Sequence, residues 1–146
     1  MLHLFAEDFG DRLAPMEHVG SESFIPCTDT KNLRCALRTD GKSGFVFVNH
    51  YQRSLNWEDV RGAVIHALDV SFPPMNVSGD LCFFMPVHMD LDDVHLRLAA
   101  AQPLCRSGNT FFFAAMDGIA PEYIFDTPEG EKHVTAVPGL ESDFDV

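Results

Sequence analysis

The stretch Leu37-Arg-Thr-Asp-Gly-Lys-Ser-Gly-Phe-Val-Phe-Val-Asn-His-Tyr-Gln-Arg53 decides the fold class. Asp40-Gly41 is a strong tight-turn signal when alternating apolar runs flank it. Here Leu33–Arg38 precedes it and Phe45–Val48 follows. The passage therefore reads as strand, turn, strand, and it ends in a polar and aromatic cluster, Asn49-His-Tyr-Gln-Arg53.

The period of two continues beyond it. Val64, His66, Leu68, Val70 and Phe72 occupy alternate positions and predict one long half-buried strand, stopped by Pro73-Pro74. That strand places His66 on the apolar face, as a hydrogen-bonded core histidine. Leu81–Met85, Val94–Ala100, Thr110–Ala115, Glu122–Asp126 and Lys132–Val137 are further strands, with turns at Asn76–Asp80 and Asp90–Asp93; Ala99-Ala-Ala101 also fits a helix. Short strands at spacings of about 8–12 residues indicate an all-β protein, an antiparallel sandwich or barrel-like domain of about 7–9 strands. Of the aromatic residues, thirteen are Phe, against one Trp and two Tyr. Phe carries no polar handle, so most of these rings belong in a core.

The amino-terminal stretch differs in kind. Leu2, Phe5, Phe9 and Leu13 recur near helical spacing, with Pro15 to end the turn, and predict one amphipathic helix. Residues 19–32 are turn-rich and read as a linker loop, which leaves 33–146 as the β-domain. The formal net charge of −12 argues against nucleic acid and anionic membrane as partners, since both need a basic footprint. The four cysteines (Cys27, Cys35, Cys82, Cys105) form no Cys-x-x-Cys pair. They read as reduced thiols, with Cys35 and Cys82 acting as small hydrophobes inside strands, and this points to a cytoplasmic address. Asn76-Val-Ser78 matches a glycosylation acceptor but sits in a predicted turn.

The chemistry-bearing residues give few patterns. A glycosidase needs two carboxylates flanking the scissile bond. With 22 acidic residues some such pair arises by chance, and Glu58-Asp59, Asp90, Asp92-Asp93 and Glu122 sit where a solvated surface is expected. No Gly-x-Ser-x-Gly occurs, and the glycines form no phosphate-cradling loop, so neither a serine nucleophile nor a cofactor is implied. His88, Asp90, Asp92, Asp93 and His95 cluster locally; metal ligation and an acidic β-turn flanked by histidines are both open to them, the turn being the reading adopted. The cluster at the end of the opening stretch is richer. Asn49, Tyr51, Gln52 and Arg53 suit hydrogen bonding to sugar hydroxyls and stacking on a ring face. Arg53 also suits bidentate pairing with a carboxylate of a neighbouring domain, and the whole cluster equally fits a strand end that satisfies its own backbone and packs on the next loop.

Three motifs in order carry a resemblance to family-35 glycoside hydrolases, the β-galactosidases: Asp8-Phe-Gly-Asp-Arg-Leu-Ala-Pro-Met16, Leu37–Arg53, and Val94–Asp126 with Leu98-Ala-Ala-Ala-Gln102, Thr110-Phe-Phe-Phe113 and Pro121-Glu-Tyr-Ile-Phe-Asp126. The resemblance implies the β-domain that follows the catalytic barrel in a bacterial enzyme of this kind, with residues 1–18 left from the end of that barrel. The catalytic glutamates would lie in the barrel, so no catalytic residue is carried over to this chain. The implied partners are the barrel, the β-domains that follow, and β-galactoside sugars at the rim of the site. His50 departs from the Asn expected at that position. The ending Glu141–Val146 carries no terminating signal and fits a chain that continues. A self-standing carbohydrate-binding module is the competing expectation.

Overall fold

The computed structural model describes residues 2–20, 25–137 and 142–146. Thirteen strands and one helix are present among them. The chain begins with α1 (Leu2–Leu13) and β1 (Glu17–Gly20), then runs through the hairpin β2 (Arg34–Thr39) and β3 (Gly44–Asn49). Four short strands follow: β4 (Val60–Ala63), β5 (His66–Ala67), β6 (Val70–Ser71) and β7 (Met75–Val77). Next come β8 (Cys82–Leu91), β9 (Val94–Ala99), β10 (Gln102–Ser107), β11 (Thr110–Ala114), β12 (Glu122–Thr127) and β13 (Gly130–Thr135).

One antiparallel sheet dominates, in the order β1-β2-β3-β8-β9-β12-β13. It does not close: β1 and β13 are its edges, so the barrel alternative falls. The remaining strands form three two-stranded sheets, β10-β11, β4-β7 and β5-β6.

The Asp-Gly hairpin forms where the sequence requires it. Asp40 Oδ1 accepts from the backbone N–H groups of Lys42 (2.9 Å) and Ser43 (2.7 Å), and Thr39 Oγ1 donates to the Ser43 carbonyl (2.6 Å). Gly41 has φ 88°, a conformation that costs glycine nothing. Those two backbone N–H groups hold the Asp40 carboxyl below its ordinary value.

Each face of the sheet buries its own core. On one face Val46, Val48, Phe83, Met85, Val87 and Leu98 pack under Ile65, Ala67, Val70, Phe72, Met75 and Val77 of the β4–β7 segment, with Met116 and Ile119. On the other, Phe45, Phe84, Leu96, Tyr123 and Phe125 pack against Phe5 and Phe9 of α1. Phe5 stacks on Phe9 at 5.4 Å and lies 4.5 Å from the Phe84 ring. The helix stripe is thus narrower than its spacing predicts: Phe5 and Phe9 are buried while Leu2 remains 66% exposed.

Several sequence expectations change. The predicted strand 64–72 is two short strands joined at Leu68–Asp69, with Leu68 at φ 53°. Reversal of the chain there buries Ile65, Ala67, Val70 and Phe72 and exposes Val64 and Leu68. His66 consequently faces solvent, where it pairs with Ser71 Oγ at 2.7 Å, rather than sitting in the core. The expected linker 19–32 begins inside β1, whose Val19 and Gly20 pair with Leu37 and Ala36; its residues 21–24 lie outside the described ones. The expected turn at 90–93 narrows to Asp92 and Asp93, because Asp90 and Leu91 still pair with His95 and Val94. Strand β10 had no sequence signal, since Pro103 sits within it; a register shift between Pro103 and Cys105 accommodates the ring.

All four cysteines are free. Burial pushes the Cys35 thiol up to about 11, but Cys82 is exposed rather than a core hydrophobe.

Replacing Phe9 by Ala should cost about 3–5 kcal/mol, read as a lower denaturation midpoint, because the ring is 2% exposed. Leu2→Ala should stay within about 0.5 kcal/mol. Equal effects would show that α1 is not docked through its phenylalanines.

Candidate functional site

The polar corner that closes β3 is built from the backbone outward. Asn49 Oδ1 accepts the Tyr51 N–H at 2.9 Å, a local turn that asparagine favours, and also the Cys82 thiol at 3.4 Å. Arg34, at the start of β2, donates to the Tyr51 carbonyl at 2.7 Å and lays its guanidinium 4.8 Å from the centre of the Trp57 ring. Trp57 Nε1 donates to the Gln52 carbonyl at 3.1 Å. Three side chains thereby fix two consecutive loop residues, Tyr51 and Gln52.

His50 is the centre of this arrangement. It is fully buried, its Nε2 donates to the Glu58 carbonyl at 2.7 Å, and Trp57 meets it edge-on at 4.8 Å. Its backbone N–H donates to the Leu81 carbonyl (3.0 Å), and its own carbonyl accepts from Asp80 (3.1 Å), tying the corner to the entry of β8. Its Nδ1 is buried without a hydrogen-bond partner. Gly79 is demanded by the close approach of this loop: a Cβ there would stand 2.6 Å from the Trp57 carbonyl oxygen.

The sequence-predicted contact residues separate by role. Asn49 spends its side-chain oxygen on the loop itself. Tyr51 is held by its backbone, and the residue is 47% exposed. Gln52 and Arg53 are exposed beside it. The result is a fixed loop offering an aromatic face, an amide and a guanidinium. Those groups are of the kind that stack and hydrogen-bond, and they include no pair of carboxylates. Sequence reasoning missed Arg34, His50 and Trp57 as the residues that hold the corner. The single Trp, in the irregular stretch before the strand expected from Val64, was the available signal.

The acidic residues are engaged elsewhere. Arg106 pairs with Asp92 at 3.1 Å, and Arg97 pairs with Glu131, whose carboxyl is held below its ordinary value first by His133 and then by Arg97. His88, His95 and Asp90 do come together, and Asp69 from the β5–β6 turn joins them. Asp93 stays exposed in its turn. Among the described residues no group of three His, Cys, Asp or Glu side chains is disposed to hold a metal ion. An open groove of about 350 Å³ lies along α1, lined by Gly10, Leu13, Ala14, Arg38 and Phe47. None of the described helices is long and apolar enough to cross a membrane.

No protein-family model, curated protein or solved structure matches this chain.

Asn49→Ala should remove the acceptor that fixes Tyr51 and Cys82 and cost about 1 kcal/mol. Thiol labelling of Cys82 should become faster while Cys27, exposed in both proteins, labels unchanged. Unchanged Cys82 labelling would mean that Asn49 does not order the corner.

Proposed function

We propose that this chain is a non-catalytic accessory β-domain of a bacterial β-galactosidase-like glycoside hydrolase of family 35. It supports the catalytic barrel of a larger polypeptide, and its Tyr51–Arg53 corner contributes to the rim of the carbohydrate site. The observation that carries this reading is the corner itself: a backbone-fixed loop with an outward ring, amide and guanidinium is suited to contact, either with a sugar or with a carboxylate of a neighbouring domain.

The ordered motifs support the reading, because they fall on structural elements that act together. Leu37–Arg53 is the β2–β3 hairpin with its corner, and Val94–Asp126 runs from β9 through β12. Asp8–Met16 is the end of α1 and the approach to β1. Under this reading α1 leaves the last barrel helix and docks on the sheet through Phe5 and Phe9. Its exposed Leu2 and Leu4 are then the residues that meet the barrel. The carboxylates Asp69, Asp92 and Glu131 serve His88, Arg106 and Arg97, in keeping with a supporting part.

The exposed Tyr51 ring also favours a second reading, a self-standing carbohydrate-binding module. Calorimetry separates the two. The accessory reading expects no heat with free galactose or β-galactosides and no hydrolysis of aryl β-galactosides. Millimolar or tighter binding, lost in Tyr51→Ala, would assign the module instead. Turnover abolished by changing one carboxylate would overturn both. A reading frame continuing upstream into a (β/α)₈ barrel is the expected genomic context.

A further inference from the structure

Four side chains form one hydrogen-bonded chain across two elements. Asp69 Oδ1 lies 2.6 Å from His88 Nε2, His88 Nδ1 lies 3.1 Å from His95 Nε2, and His95 Nδ1 lies 2.6 Å from Asp90 Oδ1. Asp69 comes from the β5–β6 turn, and the other three come from the β8–β9 hairpin of the main sheet. A carboxylate only accepts, so His88 Nε2 and His95 Nδ1 carry hydrogens. The Asp69 carboxyl is held below its ordinary value, first by that His88 hydrogen bond and more weakly by the charges of His88 and Arg97.

The two remaining nitrogens face each other. The ring centres are 5.3 Å apart, only about the nitrogen gap plus the two ring radii, so the lone-pair axes run nearly head-on. One hydrogen between them makes an N–H···N bond. None leaves two lone pairs in opposition, and two leaves opposed N–H groups. A zinc ion at about 2.0–2.1 Å from each nitrogen would need roughly 4 Å between head-on nitrogens, more than the 3.1 Å present.

His88 also carries a backbone cost. Its φ is 48°, uncommon for a bulky residue, and it marks where β8 exchanges faces: Val87 belongs to the core under β4–β7, Met89 to the core under α1. The side chain, 16% exposed, points at a turn whose Leu68 also has positive φ.

We propose that Asp69, His88, His95 and Asp90 form a proton-dependent clasp that shares one hydrogen between the two imidazoles and fastens the β5–β6 turn to the main sheet. This inference is independent of the carbohydrate reading. The other charges facing the clasp are fixed in sign or already paired. Arg97 on β9 is bonded to Glu131 of β13, which also holds His133, and Asp126 of β12 stands opposite His95 in register. On the turn side His66 is bonded to Ser71.

The clasp holds over a window of pH. Imidazole is the side chain that changes charge between about pH 5 and 8. As pH rises the shared hydrogen leaves and the two lone pairs repel. As pH falls a second hydrogen enters the gap, and at lower pH Asp69 protonates. Because the folded-state value of Asp69 is lowered, its contribution is present above the ordinary aspartate range and is lost as pH falls through the lowered value.

Nitrogen-15 NMR of the full chain tests this. A scalar coupling between His88 Nδ1 and His95 Nε2 is expected at intermediate pH. The Phe72 amide, bonded to the Ile65 carbonyl at 2.9 Å across the β5–β6 hairpin, reports the opening. Corrected for intrinsic chemistry, its exchange should be slowest within the window and roughly tenfold faster on either side. Asp90→Asn, at a side chain 77% exposed, should shift the upper limb to lower pH without unfolding the protein. Independent titration of the two rings without coupling, or Phe72 exchange that is flat after correction, would overturn the clasp. One equivalent of zinc shifting both rings would overturn it in favour of a metal seat.

Discussion

Strand β8 is covered on both sides, and the rest of the structure follows from that constraint. Phe83, Met85 and Val87 face one core; Phe84, Met89 and Leu91 face the other. A central strand with two apolar faces cannot leave either in water, since burial of a Phe or Met side chain is worth about 1.5–3 kcal/mol. The chain therefore supplies two covers, α1 with the β10–β11 hairpin on one face and the β4–β7 segment on the other. An antiparallel sheet more often keeps one face wet; this one spends its many phenylalanines on closing both.

The two covers differ in how they are held. The α1 cover is a cluster of rings, Phe5, Phe9, Phe45 and Phe84, whose contacts are insensitive to charge. The β4–β7 cover is made of strands two to four residues long, too short to be stable alone. It rests on buried side chains such as Phe72 and Val77, and its turn is joined to the sheet by the Asp69–His88 bond. The same sheet thus carries one cover held mainly by packing, with Arg12 donating to the Asp90 carbonyl at 2.7 Å and Asp8 accepting from the Arg106 N–H at 2.9 Å, and another whose outer turn answers to protonation.

The Asn49–Arg53 corner stands at the end of β3, where the sheet hands the chain to the β4–β7 cover. Its order comes from residues distant in sequence: Arg34 from the neighbouring strand, Trp57 from the loop beyond, and Leu81 at the entry to β8. A loop so supported presents Tyr51 without the ordering cost that a mobile ring would bring to a contact.

The sequence by itself determined the β class, the Asp40-Gly41 hairpin, the helix with its buried Phe5 and Phe9, and the destination of most phenylalanines. These rest on local periodicity and on the turn preferences of single residues, which act between near neighbours. Only the tertiary structure decided that 64–72 turns back at Leu68–Asp69, that Pro103 lies in a strand, that His66 faces water and that His50 lies inside. At Leu68 and His88 the backbone adopts positive φ against local preference. What stands against that cost, the Asp69–His88 bond and the burial of Val70 and Phe72, comes from segments brought together by folding. The contact of Arg34 with Trp57, and the arrival of Asp69 beside the His88, Asp90 and His95 that the sequence already grouped, likewise exist only once strands and loops are side by side.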